Sequence, residues 1–344
     1  MIICCGEALI DMIPTGLPGR LQGFLPLPGG SPYNTAIAIG RLGAPVMFLG
    51  KFSKDFFGEM LFQRLIENHV KDKLILRSDL NSPLAFVKLN EGKEPEYIFY
   101  TEETANRSLS ISDLQKENPE DLSCICFGSI SMTMEPVATA IESFILRENA
   151  RQGDGREAPV VSFDPNIRPF MINDKKAFIE RMEKWIAAST VAKISKADFK
   201  YIYPDIGIEK ALQKILAMGP RLAIGTLGTK GAMALLRRND GSITRVEAPV
   251  IDLPVKDTIG AGDAFHGAFL SWLEINGKMS RSSLAALSEE QLYDALYFAN
   301  IAASIVCTRR GAEPPTLKEV EALRKKVQKE KSQEKKEVKA KNPK

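Results

Sequence analysis

The stretch Asp257-Thr-Ile-Gly-Ala-Gly-Asp263 sets three residues with little or no side chain in front of an acid, and apolar residues at helical spacing follow it through Leu273. Gly260 and Gly262 have no Cβ and Ala261 only a methyl, so an anion can approach their backbone N–H groups closely. The first turn of the helix that follows has N–H groups with no intrahelical partner and the positive end of the dipole, which suits a phosphate. Asp263, set among those donors, can take the proton of an alcohol where negative charge develops. These are the parts of a phosphoryl-transfer site. A lone Gly-Ala-Gly-Asp is also a common capped turn, so the reading depends on its companions.

Four other stretches offer matching chemistry. Gly29-Gly30-Ser31-Pro32-Tyr33-Asn34 opens a small-residue helix; the diglycine admits a ligand to the backbone, and the Asn34 amide offers donors and an acceptor to adjacent hydroxyls. Asp11, expected at the C-terminal end of a buried strand over residues 1–10, can accept from two hydroxyls at the sheet edge where α/β ligands gather. Ser162-Phe-Asp-Pro-Asn-Ile-Arg-Pro169 ends a strand with Asn166 and Arg168 on a proline-stiffened turn. Thr226-Leu-Gly-Thr-Lys-Gly231 follows an apolar strand, and it lacks the Gly-x-x-x-x-Gly-Lys-Ser/Thr spacing of a Walker loop.

The elements that must hold these residues alternate in type. Strand-like runs at 124–130, 160–163, 222–226 and 232–236 are interleaved with helical runs at 135–148, 175–188, 208–218, 264–275 and 290–307. That rhythm predicts an α/β fold whose mostly parallel sheet is covered on both faces. Residues 12–30, rich in Gly and Pro, read as irregular or edge-strand material, and 84–90 with 96–101 read as a hairpin turning at Glu91-Gly92-Lys93.

Bulk properties exclude several classes. The net charge is +3, but residues 318–344 carry eleven Lys or Arg against five Glu, so the body is near −3 and offers no basic face for nucleic acid. That tail is expected to be a frayed helix passing into disorder. Five cysteines without paired spacing and only two histidines, His69 and His266, argue against a disulfide framework or a zinc site. Cys124 and Cys126 fall on one strand face and read as a buried thiol pair. The start has no basic n-region and no run of eighteen apolar residues occurs, so no membrane partner and a cytoplasmic location are expected.

The string Asp-Thr-x-Gly-Ala-Gly-Asp, with Gly29-Gly30-Ser31-Pro32-Tyr33-Asn34-Thr35-Ala36 in the right order before it, resembles the two signatures of the ribokinase/PfkB family of sugar kinases. Among its members, the runs 6–11, 40–43 and 164–169 are most similar to bacterial fructokinases. The resemblance covers about 1–317 and implies one domain, a ribokinase-like three-layer sandwich with a small β lid from about 12–30 and 80–105, leaving 318–344 outside. It implies Asp263 as base, Gly260, Ala261 and Gly262 as anion hole and Arg168 at the transferring phosphate, a group that a guanidinium grips in a fork. The sugar would meet Asp11, Gly29, Gly30, Asn34 and Asn166. The nucleotide would meet Lys193, Ser195, Thr226, Gly228, Gly231, Asn300 and Gly311. Many relatives carry Asn-x-x-Glu where this chain has Ser195 and Asp198; Asp198 is expected to hold Mg²⁺ through water. Asp257 and the carbonyl of Ile259 match positions that hold K⁺ in several relatives.

The implied activity is ATP- and Mg²⁺-dependent phosphorylation of a primary hydroxyl, with D-fructose as the leading substrate. A 2-keto-3-deoxygluconate kinase, with Arg107 as the cation for the carboxylate, is the alternative. A non-catalytic sugar- or nucleotide-binding regulator would have lost the base or the anion hole, and this chain keeps both. Exposed lid strands invite a homodimer.

Overall fold

The computed structural model describes residues 1–16, 22–88, 96–116, 118–150 and 157–341. In chain order these form β1 (Ile2–Cys5), β2 (Leu9–Gly16), β3 (Gln22–Gly29), α1 (Ser31–Arg41), β4 (Val46–Ser53), α2 (Phe56–Glu67), β5 (Val70–Lys71), β6 (Ile75–Ser78), β7 (Leu84–Lys88) and β8 (Glu96–Tyr100). Then come β9 (Cys124–Gly128), α3 (Val137–Ala150), β10 (Val160–Asp164), α4 (Lys175–Ala188), β11 (Val191–Ser195), α5 (Lys196–Ile202), α6 (Ile208–Met218), β12 (Leu222–Thr226), β13 (Ala232–Arg237) and β14 (Ile243–Ala248). The chain ends with α7 (Ala261–Ile275), α8 (Arg281–Ala285), α9 (Glu289–Cys307) and α10 (Leu317–Lys341).

The main sheet runs β14-β13-β12-β11-β10-β9-β1-β4-β5, with β6 also on β4. Pairing is parallel from β12 across to β5, and antiparallel only at β12-β13 and β13-β14. Strand alternation assigns each side chain to one of two cores. Ile2, Cys4, Cys124 and Cys126 join residues of α1, α7 and α9 on one face, while Ile3, Cys5, Ile125 and Phe127 join α3, α4 and α6 on the other. Three layers result, as the alternating sequence predicts. All five cysteines are free thiols.

The expected single strand over 1–10 is instead two strands in different sheets. The chain breaks at Gly6 (φ 147°), where a Cβ would lie 2.5 Å from Pro32 Cγ. Beyond it, β2 enters a second sheet of order β3-β2-β7-β8, the lid, so Asp11 sits on a lid strand and not at the end of a core strand. Residues 22–29 are also more regular than their composition suggests. Pro26 and Pro28 stand opposite Met12 and Ile10 on the edge strand β3, where a missing N–H costs no ladder bond on the outer side. The β7–β8 hairpin forms as expected; its turn lies outside the described residues.

The basic tail is helical from Leu317 to Lys341. Its first turns are part of the body: Val320 is fully buried, Leu323 packs against the same core, and Arg324 pairs with Asp294.

Candidate active site

Gly260 caps α7 in the left-handed conformation (φ 76°), and a Cβ there would fall 2.5 Å from that of Ala312. Glycine is therefore required both for the turn and for close approach of the loop that follows α9. Asp257 braces the same corner, accepting from Ile259 N at 3.0 Å and from Gly311 N at 2.9 Å. Ala261, Gly262 and Asp263 make the first turn of α7, whose N–H groups have no acceptor further back in the helix; that of Ala261 donates to Thr258 O at 3.2 Å.

Asp263, third in the helix, is buried and turned away from its own turn toward α1. Ser31 Oγ donates to its Oδ1 at 2.7 Å and Asn34 Nδ2 to its Oδ2 at 2.9 Å. The two helices come this close because Gly267 faces α1, where a Cβ would meet Ala38 Cβ at 2.8 Å and Thr35 O at 2.9 Å. Burial pushes the Asp263 carboxyl up, while the donors Ser31 and Asn34 pull it down. A carboxylate at a helix start, raised toward the range where it can take up a proton, can remove one from an alcohol beside a phosphate.

Under this turn lies a buried charged pair. Lys193 Nζ, from β11, donates to Asp164 Oδ2 at the end of β10 at 2.6 Å, and it stands 3.3 Å from where a Gly262 Cβ would be. His266 links α7 to the same strand end, with Nε2 2.7 Å from Ser162 Oγ and Nδ1 3.8 Å from Asp164 Oδ2. Cys126 Sγ is 3.7 Å from that ring. Burial alone would lower the Lys193 ammonium, and Asp164 reverses the direction.

The lid brings the hydroxyl-binding candidates together. Asp11 Oδ2 lies 2.1 Å from where a Gly29 Cβ would sit, so the carboxylate rests directly on the diglycine backbone. Burial pushes Asp11 up to about 7, Arg168 opposes this, and Asp263 and Glu7 add to it. The charges of Arg168 and Asp263 thus both act on Asp11. Arg168 Nη1 donates to Asn166 Oδ1 at 2.7 Å, and Asn166 takes a left-handed turn at φ 36°. From β8, Tyr97 and Phe99 stack on Phe170, two residues after Arg168, with centroids 6.4 and 5.4 Å away. Their neighbours Ile98 and Tyr100 face outward.

The residues expected at the nucleotide divide. Thr226 ends β12, and Gly228 (φ 61°) and Gly231 (φ 85°) shape the loop after it, where a Gly231 Cβ would strike Ala248 O. Ser195 and Asp198 instead form a capping box on α5. Asp198 Oδ2 accepts from Ser195 N and Oγ and its Oδ1 from Ile167 N, so this carboxylate ties the loop after β10 to the start of α5 and keeps one lone pair, on Oδ1, for any further donor. Asn300 is buried and donates to the carbonyls of Ala248 and Pro249, holding the end of β14. Ser31, Glu7, Asp164 and His266 received no role from the sequence, although the first three stand inside motifs it singled out. Hydroxyl- and carboxyl-bearing neighbours of the signature residues were the only available signal.

A buried carboxylate at a glycine-capped helix start, with a second small sheet beside the C-terminal edge of a parallel sheet, suits a phosphotransferase with an alcohol acceptor. The pfkB family carbohydrate kinase profile matches residues 1–319, and the chain belongs to that family. It is 34% identical over 292 residues to a fructokinase of Rhizobium leguminosarum bv. trifolii, covering 85% of each chain. The crystal structure of a fructokinase from Xylella fastidiosa with bound ATP superposes with a TM-score of 0.84 at 27% identity, over 95% of this chain and 98% of that one. Two structures of a fructokinase from Vibrio cholerae O395 also match over 93% of this chain and 97% of theirs. One, with fructose, ADP and calcium ion bound, has TM-score 0.76 and 26% identity; the other, with fructose, ADP and potassium ion, has 0.78 and 25%. The chain is thus a ribokinase-like sugar kinase.

Proposed function

We propose that this protein is an ATP-dependent fructokinase that makes fructose 6-phosphate, with Asp263 as the general base. The observation that carries the reading is the seating of the Asp263 carboxylate between Ser31 and Asn34 at the start of the glycine-walled helix. The fructose- and nucleotide-bound relatives support the choice of sugar. In this reading Asp11, Asn34 and Asn166 meet the sugar hydroxyls over the Gly29-Gly30 backbone, and the 6-hydroxyl gives its proton to Asp263 as it attacks the γ-phosphorus. Amides of the Gly260–Gly262 turn and the Arg168 guanidinium take up the charge on the phosphoryl oxygens. Lys193 adds positive charge from below, and the Thr226–Gly231 and Gly311 loops flank the nucleotide. The lid, drawn from 12–30 and 80–105, closes over a single kinase unit of about residues 1–317 and keeps water from the γ-phosphate.

Magnesium would neutralise the phosphates on which it rides. Among the described residues no three His, Cys, Asp or Glu side chains converge as a metal cluster, which supports a magnesium carried by the nucleotide phosphates and met by Asp198 only through water. A carboxylate and backbone carbonyls suit a monovalent ion better, and we place K⁺ at Asp257 and the Ile259 carbonyl, beside the turn that Asp257 already braces. No helix among the described residues is long and apolar enough to cross a membrane, and the free thiols fit the cytoplasm.

The ketoacid-sugar reading loses its cation. Arg107 is paired with Glu102 and donates to Glu135 O at 3.1 Å. Measuring ADP release across a sugar panel, with and without K⁺, decides between the readings. Turnover is expected on fructose and enhanced by K⁺; turnover on 2-keto-3-deoxygluconate with none on fructose overturns the assignment. Because ionised Asp11 accepts from hydroxyls more strongly and with both oxygens, the KM for fructose is expected to rise as pH falls below about 7 while that for ATP holds steady. The outward lid face, with Phe24, Ile98 and Tyr100 exposed, supports a homodimer. Ile98→Lys should then shift the light-scattering mass from dimer to monomer.

A further inference from the structure

Helix α1 begins without a cap of its own. Gly30 occupies the cap position and has no side chain to offer. A buried acid from far away supplies the missing acceptor: Glu7 Oε1 takes the Ser31 N–H at 3.1 Å. Its other oxygen is fixed in turn, accepting from Ser131 Oγ at 2.5 Å and Ser131 N at 3.3 Å. Glu7 is 2% exposed, and the chain segments it joins, the break after β1 and the turn after β9, both end strands of the main sheet. The first residue of α1 is therefore pinned to the rigid sheet. Its hydroxyl is what reaches Asp263 Oδ1.

We infer that Ser31 is a positioning residue for the phosphoryl-transfer base, its hydroxyl fixing the Asp263 carboxylate while Glu7 and Ser131 fix Ser31. The inference rests on Asp263 being the base. Two donors three residues apart on α1, Ser31 and Asn34, take one oxygen each and so set the plane of the carboxylate against α1 and not against its own helix. Each oxygen keeps a second lone pair, which leaves room for an incoming hydroxyl. Asn34 is placed to meet the sugar as well, and its amide can be drawn away on binding. Ser31 has its backbone N–H and hydroxyl both committed, so it is the donor that stays.

The charged groups that act on Asp263 are Asp164 from β10, Lys193 from β11 and Asp11 from the lid, while His266, one turn along α7, faces Asp164. Burial, the largest influence, and Asp164 raise its carboxyl, while the hydrogen bonds from Ser31 and Asn34 and the charge of Lys193 oppose them and favour the ionised form.

The test is the pH dependence of kcat/KM for fructose in the full-length enzyme. Ser31→Ala is expected to lower kcat at neutral pH roughly tenfold, the loss of one hydrogen bond to a charged group, and to move the acid limb to higher pH. The KM for ATP should stay unchanged. Ser31→Thr, which keeps the hydroxyl, should return the limb toward wild type. A Ser31→Ala profile superimposable on wild type, in a preparation where Asp263→Asn is inactive, overturns the Ser31 role and leaves the base in place. Near-normal turnover by Asp263→Asn would instead remove the base assignment, and the role of Ser31 with it.

Discussion

Asp263→Asn should lower kcat by on the order of 10²-fold or more with ATP affinity little changed. Asn is isosteric and can still sit between Ser31 and Asn34, and the amides of the α7 turn are untouched, so the nucleotide end of the site is preserved. What is lost is the ability to accept a proton from the attacking hydroxyl. The loss should therefore appear in kcat and kcat/KM together, the pattern of an interaction made only in the transition state. Initial-rate kinetics beside calorimetric titration with ATP separate the two quantities. A variant with near-normal kcat would take Asp263 out of the chemistry; one that no longer binds ATP would make it a nucleotide-site residue.

How much of this site is legible in the sequence depends on whether a residue acts through its backbone or through a distant partner. Gly260, Gly262 and Gly29 announce themselves, because the absence of a side chain next to an acid has few uses. The helix read over 264–275 and the apolar strand over 222–226 follow from local sequence pattern, and the structure starts the helix three residues earlier, at Ala261. The place of Asp11 does not follow from such pattern: the apolar run before it reads as one strand, and only the clash a side chain at Gly6 would make with Pro32 shows that the chain must leave the sheet there. Asp198 is ambiguous for a related reason. Three residues after a serine, an acid serves equally as a capping box or as a metal acceptor, and the Ile167 N–H that it also accepts comes from the loop after another strand. Ser31, Glu7 and His266 stay silent because each acts by reaching a residue more than a hundred positions away, or one held by such a residue.

The Lys193–Asp164 pair carries the largest expected effect on stability. Both side chains are almost wholly buried, and the bond between them is 2.6 Å. Lys193→Met keeps the volume of the stem and leaves Asp164 buried without its counter-charge, with His266 Nδ1 at 3.8 Å as the nearest compensation. Breaking a buried pair from one side costs about 3–5 kcal/mol. For a chain of 344 residues, with an unfolding entropy of about 2 cal/mol/K per residue, that is a fall of roughly 4–7 °C in Tm. Removing both charges in Lys193→Met/Asp164→Leu should recover most of the loss, since two well-packed apolar side chains leave nothing uncompensated. Turnover should not recover with it. The ammonium lies against the Gly262 backbone, and the double variant withdraws that positive charge from under the turn. Differential scanning calorimetry on the three proteins, read beside kcat, tests both halves: a double variant that regains Tm and kcat together would confine Lys193 to a structural role.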